Sequence, residues 1–171
     1  MPETMLANAN IVLLDGILHG AVTVLNGKIA SIEEGDAVPP GAVDFARDTL
    51  IPGLVELRTD NVEKHMVPRP GVVWPAPVAA ILGHDAQMAA AGVTTVYDAI
   101  AVGEYMDRNY RRALLATVMG AIKDAAASGL FKVDHRVHLR CEIADDIVAE
   151  LFEPYADDPL VGLISVMDHT P

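Results

Sequence analysis

Leu50-Ile51-Pro52-Gly53-Leu54-Val55-Glu56-Leu57-Arg58-Thr59-Asp60-Asn61 is the stretch that decides the fold. An apolar run leaves a Pro-Gly turn and ends in polar side chains. That is the pattern of a buried parallel strand delivering functional groups at its carboxyl end. Alternate side chains of a strand share a face, so Arg58 and Asp60 are expected to point together. Residues 62–75, proline-rich and charged, read as an ordered loop of the kind that carries a site.

Downstream, strands and helices alternate. Pro77–Ala91 has helix-forming composition and Gly92 closes it. Val93–Asp98 is β-branched and reads as a strand ending on an acid. Asp107–Ala127 reads as a long helix, with Arg111, Arg112 and Lys123 opposite Leu114, Leu115, Val118 and Ile122. His135–Glu142 alternates, placing Val137, Leu139 and Cys141 on one face and His138, Arg140 and Glu142 on the other. A helix over Ile143–Tyr155 and a buried strand over Leu160–Met167 lead to Asp168-His169-Thr170-Pro171. This order implies an α/β fold with a parallel sheet and crossover helices, here four strand-helix units.

Upstream, residues 1–49 read as a small β unit. Ile11–Leu14, Gly20–Leu25, Lys28–Ile32 and Val43–Thr49 are its strands, and Asn26-Gly27 is a strong hairpin signal. The chain ends two residues after a histidine at a strand's carboxyl end, where α/β folds bind ligands, so a truncated barrel is expected.

The 171 residues are 51% hydrophobic and mean hydropathy is +0.30, so a sizeable core is expected. A net charge of −12 excludes a general nucleic-acid binder, though a few local cations could still serve an anionic small molecule. The single cysteine, Cys141, allows no intrachain disulfide and fits a reducing compartment. With no signal peptide pattern and no long uncharged apolar run, a cytoplasmic protein without a membrane span is expected.

Asp60, Asp98, Glu142, Asp168 and His169 fall at expected strand ends. Acids and imidazole converging there are the donors a divalent metal takes, and the metal would activate water. Helix capping or simple solvent exposure is the alternative at each, and the stronger one for Asp98. Lys64, His65 and Arg69 lie within six residues and could hold a phosphate, or form a solvated charged loop. His84-Asp85 could face the site or sit satisfied in the core. His135 starts a strand far from the site, and His19 belongs to the surface of the β unit. No Gly-rich phosphate loop, Cys-X-X-Cys pair or Gly-X-Ser-X-Gly elbow occurs.

Several segments together resemble a known family. Ala9–Leu13, Gly27–Ile32 and Ile51–Leu57 resemble the amidohydrolase superfamily. Thr59–His65, Pro68-Arg69-Pro70, His84-Asp85, Gly92–Val96, Leu139–Glu142 and Asp168–Pro171 are similar to its branch of alpha-D-ribose 1-methylphosphonate 5-triphosphate diphosphatases, of the carbon–phosphorus lyase pathway. The resemblance covers essentially the whole chain. It implies a small β-sandwich portion over residues 1–49 and, over 50–171, the first half of a metal-dependent (β/α)8 barrel.

It further implies hydrolysis of a ribose 5-triphosphate to the 5-phosphate and pyrophosphate. Asp60, Glu142 and His169 would be ligands of a divalent metal, zinc or else manganese or magnesium. Lys64, His65, Arg69 and Arg58 would contact the phosphorylated substrate. Two departures bear on activity. The family's first-strand motif begins with His where this chain has Arg58, and a guanidinium cannot ligate a metal. The second barrel half is absent, so the chain is expected to be inactive alone, or to meet that half in a homo-oligomer or another chain. The alternative is a non-catalytic module that binds a phosphorylated ligand or a partner, with Arg58 as an added phosphate fork.

Overall fold

A computed structural model describes residues 3–104 and 110–170. The chain divides into two compact units, Met1–Pro52 and Gly53–Pro171.

The first unit is a five-stranded sheet. Strands β1 (Thr4–Val12), β2 (Ile17–Leu25) and β3 (Lys28–Glu34) run antiparallel, and β4 (Val43–Asp44) and β5 (Thr49–Leu50) pair in parallel with β1. Asn26 and Gly27 have φ of 55° and 76°, both left-handed, as the tight turn between twisted strands needs. Every second residue of β1 points inward, so Ala7, Ala9 and Ile11 are buried and meet Val22. Among the described residues the strands of this unit form one sheet. The strand expected over Val43–Thr49 is broken by a turn in which Ala46 and Arg47 take positive φ.

The second unit is a parallel sheet in sequence order: β6 (Leu54–Thr59), β7 (Val93–Val102), β8 (Asp134–Glu142) and β9 (Val161–Met167). Helices α1 (Asn61–Met66), α2 (Pro77–Ala90), α3 (Tyr110–Ala127) and α4 (Val148–Phe152) accompany it. Their apolar faces make the core, where Val62, Met66, Ile81, Leu115, Val118 and Ile122 pack with Ile100, Val102, Val137 and Leu139. Pro77 opens α2 with its missing N–H harmless there, and Gly92 follows its end with φ of 78°. No helix among the described residues is long and apolar enough to cross a membrane.

Three expectations need correction. Residues 62–66 of the expected loop are helical, in a helix that begins at Asn61. Strand β7 runs four residues beyond Asp98, because Ala99–Val102 are clasped by β8 in full register. The helix expected over Ile143–Tyr155 is only α4 followed by a 3-10 turn at Glu153–Tyr155; Pro154, lacking an N–H, sits in that turn. The expected helix start at Asp107 lies outside the described residues.

Candidate functional site

The strand β6 ends at Thr59, and Thr59 Oγ1 accepts the Asn61 N–H at 3.2 Å as α1 begins. Asp60 stands at the α1 N-cap position but its side chain caps nothing. Its carboxylate instead pairs with the guanidinium of Arg140 from β8. Beyond the end of β6, Glu63 Oε1 accepts the Ala101 N–H of β7 at 3.1 Å and so fastens α1 beside that strand. Ala99 and Ala101, in register with His138 and Arg140, are too small to block the side chains beside them.

A cleft of about 620 Å³ opens here, lined by Asp60, Glu63, Lys64, Arg69, Arg111, Arg140 and His169. Of the chain's 12 lysines and arginines, four line this one cleft, on a molecule whose net charge is −12. Local charge therefore opposes global charge, which is what a selective anion site requires. Arg111 Nε lies 3.9 Å from Glu63 Oε2 and, among the described residues, is buried without a hydrogen-bond partner, a donor left over for a ligand.

Glu142 is 2% exposed and is hydrogen-bonded to His169 Nδ1. It also accepts the backbone N–H groups of Ala144 at 3.3 Å and His169 at 3.4 Å. Burial pushes its carboxyl up, but the bonds from His169 and Ala144 outweigh burial, so its pKa is lowered and it is charged at neutral pH. His138 donates or accepts at Ser165 Oγ, 2.8 Å away. Burial first, then Arg140 and Arg58, lower its pKa against the opposing Leu57 carbonyl and Asp60, so its ring is neutral.

On the donor types, Asp60, Glu142 and His169 suit a divalent ion: two carboxylates and an imidazole. Glu142 and His169 are already together, whereas Asp60 is held by Arg140. These three do not gather within ligating distance of one another. Among the described residues the group that does is His84, Asp98 and His135, whose candidate ligand atoms lie within 4.8 Å of one another. That group lies on the side of the sheet covered by α2. His84 Nε2 is 2.7 Å from Asp98 Oδ1 and His135 Nδ1 is 2.6 Å from Asp98 Oδ2, which are hydrogen-bond lengths.

Asp98 is thus neither a strand-end acid nor a cap. Its expected strand-end position is corrected by the longer β7, which buries it completely between two imidazoles. Burial pushes its carboxyl up, but the bonds from His135 and His84 prevail and its pKa is lowered. Asp85 completes the network, accepting the Lys132 and Val133 N–H groups at 2.9 and 3.0 Å. His84 and Asp85 are both buried, and among the described residues His84 Nδ1 and Asp85 Oδ2 have no hydrogen-bond partner.

Of the residues singled out in the sequence, Asp60, Lys64, Arg69 and His169 line one cleft, with Glu142 bonded to His169. His65 does not line it; its Nε2 meets Gln87 Oε1 at 3.1 Å beside α2. Arg58 is exposed and also not part of the lining, and Asp168 accepts hydrogen bonds from Thr170, two residues on. The sequence missed Arg111 and Arg140 as cleft cations. Arg140 was signalled by sharing a strand face with Glu142. Arg111 looked like the solvated side of an amphipathic helix.

No protein-family model matches the chain. The chain is 40% identical over 164 residues to the Alpha-D-ribose 1-methylphosphonate 5-triphosphate diphosphatase of Escherichia coli (strain K12). The match takes in 96% of this chain and 43% of that enzyme, so the chain spans less than half the length of this curated relative. Among solved structures, the N-acetylglucosamine-6-phosphate deacetylase of Pasteurella Multocida is similar with a TM-score of 0.58, at 16% identity, over 81% of this chain and 34% of that one. A D-hydantoinase is similar with a TM-score of 0.53, at 19% identity, over 96% of this chain and 32% of that one. Both are likenesses of fold. The parallel sheet is thus similar in fold to part of those two enzymes, and by sequence the chain is similar to less than half of the diphosphatase.

Proposed function

We propose that this relative of the phosphonate-degrading diphosphatase carries the phosphate-binding half of a diphosphatase site. Its substrate would be alpha-D-ribose 1-methylphosphonate 5-triphosphate, cleaved to the 5-phosphate and pyrophosphate in the cytoplasm. The observation that carries the reading is the cleft where Lys64, Arg69, Arg111 and Arg140 converge beside Glu142 and His169. Arginine offers a planar fork to phosphate oxygens and lysine a point charge, so four cations suit a chain of phosphates better than a single one.

Glu142 and His169 would hold the divalent ion, joined by Asp60 once it leaves Arg140. When bound, such an ion supplies positive charge at a phosphoryl oxygen and a nucleophilic water. The other roles belong to the chain's own groups. Lys64, Arg69 and Arg111 bind and orient the phosphates and offset charge that builds on the leaving pyrophosphate. Glu142, charged at neutral pH, fixes the tautomer of His169 by accepting its Nδ1–H, which leaves the Nε2 lone pair free to bind a cation. Phosphate competing for Arg140 would release Asp60.

Metal content and pyrophosphate release from the ribose triphosphate test this together. Pyrophosphate release that is lost in Glu142→Gln and His169→Ala, with metal uptake lost alongside, supports the reading. Release or uptake unchanged in both variants would refute the assignment. A second reading, a non-catalytic module that only binds the phosphorylated ligand, is favoured by Arg58 standing where the family's histidine would be. It expects triphosphate binding with no metal and no turnover.

A further inference from the structure

A second cleft, of about 510 Å³, adjoins the cationic one and shares Lys64 and Pro68 with it. Its character is different. Apart from Lys64 its walls carry no charge and no carboxylate; Trp74, His65 and Gln87 line it together with Gly83. Trp74 is 45% exposed, a large apolar ring left half open to solvent. The bond from His65 Nε2 to Gln87 Oε1 occupies the amide carbonyl, so the amide nitrogen is the donor that remains for a ligand.

Gly83 supports the same point from a different direction. It sits inside α2, where glycine is less favourable than alanine. Packing does not require it, because a Cβ there would touch only the His65 ring, at 3.4 and 3.7 Å. What the missing side chain does is keep this cleft open beside Trp74 and His65.

We propose that the second cleft takes a planar heteroaromatic ring, so that the two clefts together bind a nucleoside triphosphate: phosphates on the cations, base against Trp74, and a ring acceptor on the Gln87 amide. Shared Lys64 marks the junction where the first phosphate meets the sugar. An aromatic wall with one amide donor suits a nucleobase, since each base has a π-face to stack and acceptor atoms on its edge. The inference rests on the reading of the cationic cleft as a polyphosphate site and extends it to a second ligand class.

Trp74 is the only tryptophan in the chain, so its emission reports this cleft alone. The test titrates the full chain with ATP and, separately, with inorganic tripolyphosphate, following heat and Trp74 fluorescence. ATP should bind about tenfold more tightly than tripolyphosphate, the gain expected from stacking one base, and it alone should change the emission. Gly83→Leu fills the cleft while improving helix propensity, so the fold should survive, as circular dichroism would verify. It should abolish the preference for ATP and leave tripolyphosphate affinity within about twofold, because the cations are untouched.

Equal affinity for the two ligands, or a preference that survives Gly83→Leu, would overturn the ring site and leave the cationic cleft standing. Failure of tripolyphosphate itself to bind would remove both.

Discussion

Arg58, exposed near the end of β6, stands where the resemblance implies a histidine. A guanidinium has no lone pair to give and repels a cation, and here it also helps hold His138 neutral. Replacing it should therefore restore a donor and remove a charge at once. Arg58→His is expected to raise zinc affinity about tenfold or more, read by competition with a chromophoric chelator; a factor of ten is about 1.4 kcal/mol. No gain would mean that the Asp60–Arg140 ion pair, not Arg58, limits the site. At this scale the sequence was partly legible. Asp60 and His169 stood out because each lies in a polar cluster directly after an apolar strand, and Lys64 and Arg69 because they fall within six residues in the charged stretch that follows β6. Arg111 was not, because helical periodicity alone cannot distinguish a cation facing solvent from one facing a cleft.

At the scale of elements, two devices set the geometry. One is α1, fastened to β7 by Glu63 at the Ala101 N–H. Its helicity was hidden by the prolines at 68, 70 and 75, whose density made the whole stretch read as loop. The other is the buried network of His84, Asp98, His135 and Asp85 that joins α2, β7 and β8. Asp98 has a lowered pKa, so its stabilisation is present above the ordinary aspartate value of about 4 and is lost as pH falls through the folded value. Asp145, held by Arg112 and by the Glu104 N–H, acts with the same sign. Denaturant unfolding followed from pH 7 to pH 3 should show a fall in stability that steepens below about pH 4. Asp98→Asn should cost about 2–4 kcal/mol at pH 7, because two buried imidazoles lose their shared anion, and should flatten the acid limb. An unchanged acid limb in that variant would assign the pH dependence elsewhere. Strand β7 was read too short for a related reason: Ala99–Val102 lacks the β-branched density of Val93–Val96, and only pairing with β8 makes it a strand.

At the scale of the molecule, the alternation of strands and helices predicted the parallel sheet in the order the structure has it, since sequential strands joined by helices lie side by side. What alternation could not reveal is how much of that sheet stays open. Among the described residues β6 and β9 each have one partner strand, and Leu54, Val55, Leu57, Ile164 and Val166 are half exposed or more. Unpaired edges with apolar side chains recruit other strands. Sedimentation velocity should show the 171-residue chain associating as its concentration rises, and Val55→Lys with Val166→Lys should suppress it. A monomer at every concentration would show that these edges are covered or inert.

The central claim is that four cations turn an acidic half-barrel into a polyphosphate site. It is tested most directly by calorimetric titration of inorganic tripolyphosphate into the wild-type chain and into Arg69→Ala and Arg111→Ala. We predict one binding site, strongly salt-dependent, weakened about tenfold or more by each substitution, the usual loss for a charge-assisted hydrogen bond. Binding that is absent, or that both variants leave unchanged, would contradict the account.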